Sequence, residues 1–117
     1  MKKVLVVDDN AVNRKLAVTL LKRRGVDVDE AEGGLLALEM LATGEFDAVL
    51  LDINMPVIDG KEVCRRIRGT PATAGLRVIA YTAHAMESER QSIMAAGFDD
   101  LLVKPISGHD LMRALPD

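Results

Sequence analysis

Four segments of the chain are apolar without a break, and each ends abruptly on polar residues. Val4-Leu5-Val6-Val7 stops at Asp8-Asp9-Asn10, and Ala48-Val49-Leu50-Leu51 stops at Asp52. Val78-Ile79-Ala80-Tyr81 stops at Thr82, and Leu101-Leu102-Val103 stops at Lys104-Pro105. Unbroken apolar runs of this length predict strands covered on both faces, as in parallel sheets. Val26-Asp27-Val28-Asp29 alternates instead, which predicts an edge strand with one wetter face.

Helical periodicity fills the gaps between them. Residues 11–24 place Val12, Leu16 and Leu20 four apart with Ala17 and Leu21 beside them, while Arg14, Lys15, Lys22 and Arg23 are expected on the other side. Asn10 suits an N-cap and Gly25 a C-terminal stop. Residues 34–43 repeat the pattern with Leu35, Leu38 and Leu41 before Gly44. Gly60 to Arg68 carries Val63 and Ile67; Met86 to Ala96 carries Met86, Ile93 and Ala96 and stops at Gly97; Ser107 to Leu115 carries Leu111 and Leu115. Five strands and five helices in strict alternation predict an α/β domain. Its sheet should be parallel and doubly wound, with right-handed crossovers and helices on both faces. No repeat, linker or low-complexity tract interrupts the order, so residues 1–117 read as one domain.

Composition narrows the possibilities. At 117 residues, 49% hydrophobic and 28% charged, the chain is long enough to bury a core without staples. Its single cysteine, Cys64, excludes a disulfide scaffold within the chain. A net charge of −3 and only three aromatic residues argue against direct nucleic-acid binding. No apolar run reaches the length of a bilayer span, and Asp8 and Asp9 fall where a signal peptide would be apolar. A cytoplasmic domain without membrane contact is the expectation.

In a parallel sheet all strands point one way, so their carboxyl ends share one edge, where open α/β sheets bind ligands. That edge collects Asp8, Asp9, Asp52, Thr82 and Lys104. Each has an ordinary reading alone: Asp-Asp-Asn after a strand is a common turn and N-cap, and Lys-Pro is a common loop. Their joint occurrence at four strand ends points to a site. Three carboxylates in one cleft repel, and a hard divalent cation such as Mg²⁺ relieves that repulsion with oxygen ligands. One carboxylate can still act as a nucleophile toward phosphorus, with Asp52, ending a central strand, as the candidate. A lysine and a hydroxyl opposite would stabilise the oxygens of a transferring phosphoryl group.

These residues, within Leu50-Leu51-Asp52-Ile53-Asn54-Met55-Pro56-Val57-Ile58-Asp59-Gly60, Tyr81-Thr82-Ala83 and Leu102-Val103-Lys104-Pro105, resemble the receiver domain of two-component response regulators along essentially the whole chain. Thr82-Ala83-His84-Ala85-Met86 and Ala96-Gly97-Phe98-Asp99-Asp100 look most like receivers of hybrid histidine kinases. The resemblance implies a flavodoxin-like (βα)5 domain with strand order 2-1-3-4-5. It implies that Asp52 accepts a phosphoryl group from a phosphohistidine on a histidine kinase or histidine phosphotransfer protein. Asp9, Asp52 and the Asn54 carbonyl would hold Mg²⁺, with Asp8 positioning a metal-bound water. Lys104, the Thr82 hydroxyl and the Ala83 amide would bind the phosphoryl oxygens. Asn54 and His84 match positions that tune acyl-phosphate lifetime, and Pro105 matches a cis peptide that helps hold Lys104. Asn13, Leu16, Pro105 and Ile106 match the family's partner-docking positions. The expected molecule is a monomer or weak homodimer that modifies itself rather than a turnover enzyme.

The chain departs from the family at Leu101. An aromatic residue is common there, three before the lysine, and its rotation follows the threonine. Tyr81 is no substitute, because Thr82's immediate neighbour should face the other side of the sheet. The departure keeps one alternative in view, a phosphorylation-independent protein-interaction scaffold. An aspartate-phosphate hydrolase would need an acid at position 54, which is asparagine here. A nucleotide or flavin module would need glycines in the first strand–helix turn, which Asp8-Asp9-Asn10-Ala11 lacks.

Overall fold

The computed structural model describes residues 3–83 and 86–115. Its ten elements alternate without exception: β1 (Lys3–Val7), α1 (Ala11–Lys22), β2 (Asp27–Ala31), α2 (Gly34–Thr43), β3 (Ala48–Asp52), α3 (Gly60–Gly69), β4 (Arg77–Thr82), α4 (Glu87–Ala95), β5 (Asp100–Val103) and α5 (Gly108–Ala114). The five strands form one sheet of order β2-β1-β3-β4-β5, and every pair is parallel. Among the described residues no helix is long and apolar enough to cross a membrane.

Side chains alternate across the sheet and build two cores. Leu5, Val7, Val49, Leu51, Val78 and Ala80 pack on one face against Ala37, Leu41, Val63, Ile67 and Ile93 of α2, α3 and α4. Val4, Val6, Leu50, Ile79 and Tyr81 pack on the other against Ala17, Val18, Leu21 and Leu111 of α1 and α5. The central strand β3 is buried along its whole length, whereas the edge strand β2 is buried only at Ala31. This is the pattern a doubly covered sheet requires.

The predicted helix boundaries hold to within a few residues, but two predicted faces do not. In α1 the buried residues are Ala17, Val18 and Leu21, while Val12 is 79% and Leu16 42% exposed. Arg14, expected on the wet side, lies on the inward face, because 14, 17, 18 and 21 are helical neighbours. Its guanidinium donates to the Asp8 carbonyl (2.8 Å) and the Glu30 carboxylate (3.0 Å). In α2 Gly34, Ala37 and Leu41 are buried, and Leu35 is exposed. The cause is close approach to α3: a Cβ at Gly34 would lie 2.6 Å from the Val63 side chain. Met86, predicted inside the fourth helix, is its exposed N-cap.

Local signals set the element ends. The Asn10 side chain accepts from the Asn13 amide (3.0 Å), capping α1, and Gly25 takes φ +77° just beyond it. Asp59 caps α3 through the Glu62 amide (2.9 Å), and Ser107 caps α5 through the Asp110 amide (3.1 Å).

One loop is strained. The Ile58 amide donates to the Pro56 carbonyl (2.8 Å), a three-residue turn centred on Val57 at φ +71°. This is the rarer hand of the γ-turn, unfavourable for a β-branched residue. Val57 is 91% exposed, so its side chain buries nothing in return. Val57→Gly is therefore expected to raise stability by about 1 kcal/mol, strain relief outweighing the chain entropy of glycine; chemical denaturation of both proteins measures it.

Candidate functional site

The carboxyl edge of the sheet gathers the residues that the strand ends nominated. Asp8 and Asp9 follow β1, Asp52 ends β3, Thr82 ends β4, and Lys104 follows β5. Asp8, Asp52 and Thr82 are buried, and Asp9 is exposed at the rim. One carboxylate oxygen from each of Asp8, Asp9 and Asp52 lies within 4.8 Å of the others. The Lys104 ammonium reaches in from the opposite side, 3.3 Å from Asp52 Oδ1 and 3.5 Å from Asp8 Oδ2. Its backbone amide is tied to the Thr82 carbonyl (2.8 Å), which locks the end of β5 to the end of β4. The Lys104–Pro105 peptide is cis, as the resemblance implied.

Asn54 and Ala83 are exposed at the same edge, each just beyond the strand residue it serves. The Asn54 amide donates to Asp52 Oδ1 (3.3 Å). A cleft of about 350 Å³ opens beside Thr82, lined by Ile53, Asn54, Lys61, Glu89 and Ile93. His84, the second candidate for tuning, lies outside the described residues. Leu101 is partly buried against the α2, α3 and α4 core, so the family's aromatic position is filled by an aliphatic side chain.

Charge in the cleft is unbalanced. Burial, and then the like charge of Asp8, push the Asp52 carboxyl from 3.8 up to about 6, against the opposing pull of Lys104. One lysine does not offset three acids. An all-oxygen donor set with surplus negative charge fits a hard divalent cation rather than a soft one.

Two contributors escaped the sequence reading. Tyr81 does face away from Thr82, into the α1 and α5 core, yet its hydroxyl donates to Asp8 Oδ2. Its ring also lies 4.6 Å from the Lys104 ammonium. Burial and the Asp8 hydrogen bond hold its phenol well above the ordinary tyrosine range. The available signal was its place as the last apolar-run residue beside Thr82, since a buried phenol needs a partner. Arg14 is the other, anchoring the Asp8 backbone from α1.

Residues 4–116 match the family model of the response regulator receiver domain. The chain is 40% identical over 116 residues to the sensor protein GacS of Pseudomonas syringae pv. syringae, covering 97% of this chain and 13% of that one. It is 39% identical over 113 residues to hybrid signal transduction histidine kinase I of Dictyostelium discoideum, covering 91% of this chain and 6% of that one. This chain thus spans a small fraction of those kinases. Among solved structures, the receiver domain of the Pseudomonas aeruginosa PAO1 sensor kinase PA1611, whose cleft coordinates a magnesium ion, superposes with a TM-score of 0.89. The two are 32% identical, and the match covers 96% of this chain and 92% of that one. Chemotaxis protein CheY4 of Vibrio cholerae gives a TM-score of 0.91 at 30% identity, over 97% of this chain and 94% of that one.

Proposed function

This chain belongs to the response regulator receiver family of two-component signalling, and from that premise we propose that it is a Mg²⁺-dependent phosphoacceptor switch with Asp52 as the acceptor. The observation that carries the reading is the convergence of Asp8, Asp9 and Asp52 with Lys104 in one partly buried cleft. In transfer, a carboxylate oxygen of Asp52 attacks phosphorus, the P–N bond of a phosphohistidine breaks, and the imidazole nitrogen leaves with the electron pair. The product is an acyl phosphate on Asp52. Asp9, Asp52 and the Asn54 carbonyl would hold the ion, with Asp8 fixing a water of its shell. When bound, Mg²⁺ neutralises acid charge and phosphoryl oxygens.

The chain's own groups do the rest. Lys104, already 3.3 Å from Asp52, pairs with the incoming oxygens, and Thr82 with the Ala83 amide supplies hydrogen-bond donors across the cleft. Driving a two-state switch from 1:99 to 99:1 takes about 5.5 kcal/mol of differential interaction. Charge-assisted hydrogen bonds contribute about 1.5–3 kcal/mol each, so the Lys104 and Thr82 contacts suffice. Asp52 protonated at its elevated pKa is a poor nucleophile, so uptake should rise as pH climbs through about 6.

Acetyl phosphate with Mg²⁺ tests the reading. The intact mass should rise by one phosphoryl group, the adduct should be cleaved by hydroxylamine, and chelator should prevent it. An unmodified mass beside a receiver that takes the label would end the proposal.

The phosphodonor is proposed to be a histidine kinase or histidine phosphotransfer protein of a phosphorelay. Exposed Val12, Leu16 and Pro105 flank the acidic edge and form the apolar contact for the donor's helices. Val12→Asp is expected to slow transfer from a phosphohistidine protein by about tenfold, the effect of losing one central apolar contact. Uptake from acetyl phosphate should stay unchanged, since the small donor makes no such contact. Quench-flow with both donors separates the two.

A further inference from the structure

We propose that Tyr81 is a positioning residue of the acidic site, its hydroxyl fixing the Asp8 carboxylate and its ring the Lys104 ammonium, so that cation affinity depends on the phenol. The inference rests on the reading of Asp8, Asp9 and Asp52 as a divalent-cation site. It adds a residue that lies on the opposite face of β4 from Thr82.

Asp8 is fully buried, and a buried carboxylate keeps a fixed plane only if both oxygens have donors. Oδ1 accepts from the Asn10 amide (2.9 Å), and Oδ2 accepts from the Tyr81 hydroxyl. Without the phenol, the Lys104 ammonium at 3.5 Å would be the remaining contact to Oδ2. That ammonium must also serve Asp52 at 3.3 Å. The Tyr81 ring 4.6 Å away limits where the ammonium can sit. Tyr81 therefore touches two of the groups that meet at the cleft while itself contributing no ligand.

A core role explains the ring but not the hydroxyl. Phenylalanine would fill the space among Val6, Leu50, Ile79 and Leu102 equally well. The register pairs Tyr81 with Asp52 on β3 and Leu102 on β5. From there the ring reaches past the sheet's end toward β1, where Asp8 waits. Groups that hydrogen-bond a metal-ligating carboxylate change metal affinity by about 10–100-fold when removed.

Calorimetric titration of chelator-treated wild type and Tyr81→Phe with Mg²⁺ is the test. Y81F should bind about tenfold more weakly and should show no further loss when combined with Asp8→Asn, because the hydroxyl acts through Asp8. A spectroscopic readout needs no variant. The chain holds one tyrosine and no tryptophan, so its emission is that of Tyr81 and should change with the same Mg²⁺ midpoint as the heat. Equal or tighter binding by a folded Y81F, or calorimetric binding with unaltered Tyr81 emission, would overturn the positioning role while leaving the cation site standing. Absence of Mg²⁺ binding to the wild type would overturn both.

Discussion

Asp52→Asn is expected to abolish phosphoryl uptake and, in the same protein without metal, to raise stability at neutral pH by about 2–3 kcal/mol. The first effect follows from removing the attacking oxygen. The second follows from the electrostatics of an uncompensated site. Burial and Asp8 push the Asp52 carboxyl from 3.8 up to about 6, so the folded chain holds that proton more tightly than the unfolded one. Between pH 4 and 6 the unfolded state has released a proton that the native state retains. Stability therefore falls as pH rises through that window, and at pH 7 the folded state carries an ionised carboxylate it would shed if it could. Asparagine carries no such charge. The Lys104 ammonium loses its 3.3 Å partner in this variant but keeps Asp8 at 3.5 Å.

The stabilisation should be absent near pH 4 and complete above pH 7, a profile that separates it from a packing effect. Saturating Mg²⁺ should narrow the gap from the other side by offsetting the acids in the wild type. Denaturant melts of both proteins across this range, with and without the ion, measure all three features. Parallel pH profiles for wild type and variant would show that Asp52 is not held in a frustrated state.

The strand ends were legible because doubly covered strands have no polar positions until they leave the core. Asp8, Asp52, Thr82 and Lys104 therefore mark the sheet's edge in the sequence itself. Helix faces were less legible. In α1 two stripes share the helical period, Val12-Leu16-Leu20 and Arg14-Ala17-Val18-Leu21, and the apolar count favours the wrong one. What turns the second inward is tertiary: Arg14 finds Glu30 and the Asp8 carbonyl there. That leaves Val12 and Leu16 outside as an apolar surface. In α2 apolar residues occupy nearly every position, so periodicity barely discriminates, and the close approach to Val63 selects the small residues.

Tyr81 shows a different limit. The parity of a strand correctly assigns its ring to the face opposite Thr82, but parity says nothing of how far a long side chain reaches. The phenol leaves its own face's core at the sheet's end and meets Asp8. Leu101 and Tyr81 together place this chain's aromatic group on the α1 and α5 side of β4 rather than the α4 side.

Gly60→Ala is expected to cost about 2–3 kcal/mol, which is severe for the addition of one methyl group. Gly60 opens α3, and its amide donates to the Ile53 carbonyl (3.0 Å). A Cβ there would lie 2.3 Å from the Asp52 carbonyl oxygen, 2.9 Å from Ile53 Cα and 3.0 Å from the Asp52 carbonyl carbon. All three are backbone atoms, so no side-chain rotation relieves the clash. Either the start of α3 lifts off the sheet or the end of β3 shifts, and the second choice moves the acceptor aspartate relative to Lys104. Loss of stability should therefore come with weaker Mg²⁺ binding and slower phosphoryl uptake. Gly33→Ala is the matched control, because a Cβ at that helix cap meets nothing within 4 Å; it should change stability by no more than about 0.5 kcal/mol. If both alanine variants unfold at the same denaturant concentration and bind the ion alike, the tight seam between Gly60 and Asp52 does not constrain the site. If only Gly60→Ala fails, the receiver's acceptor is held in place by the absence of a side chain eight residues away in sequence.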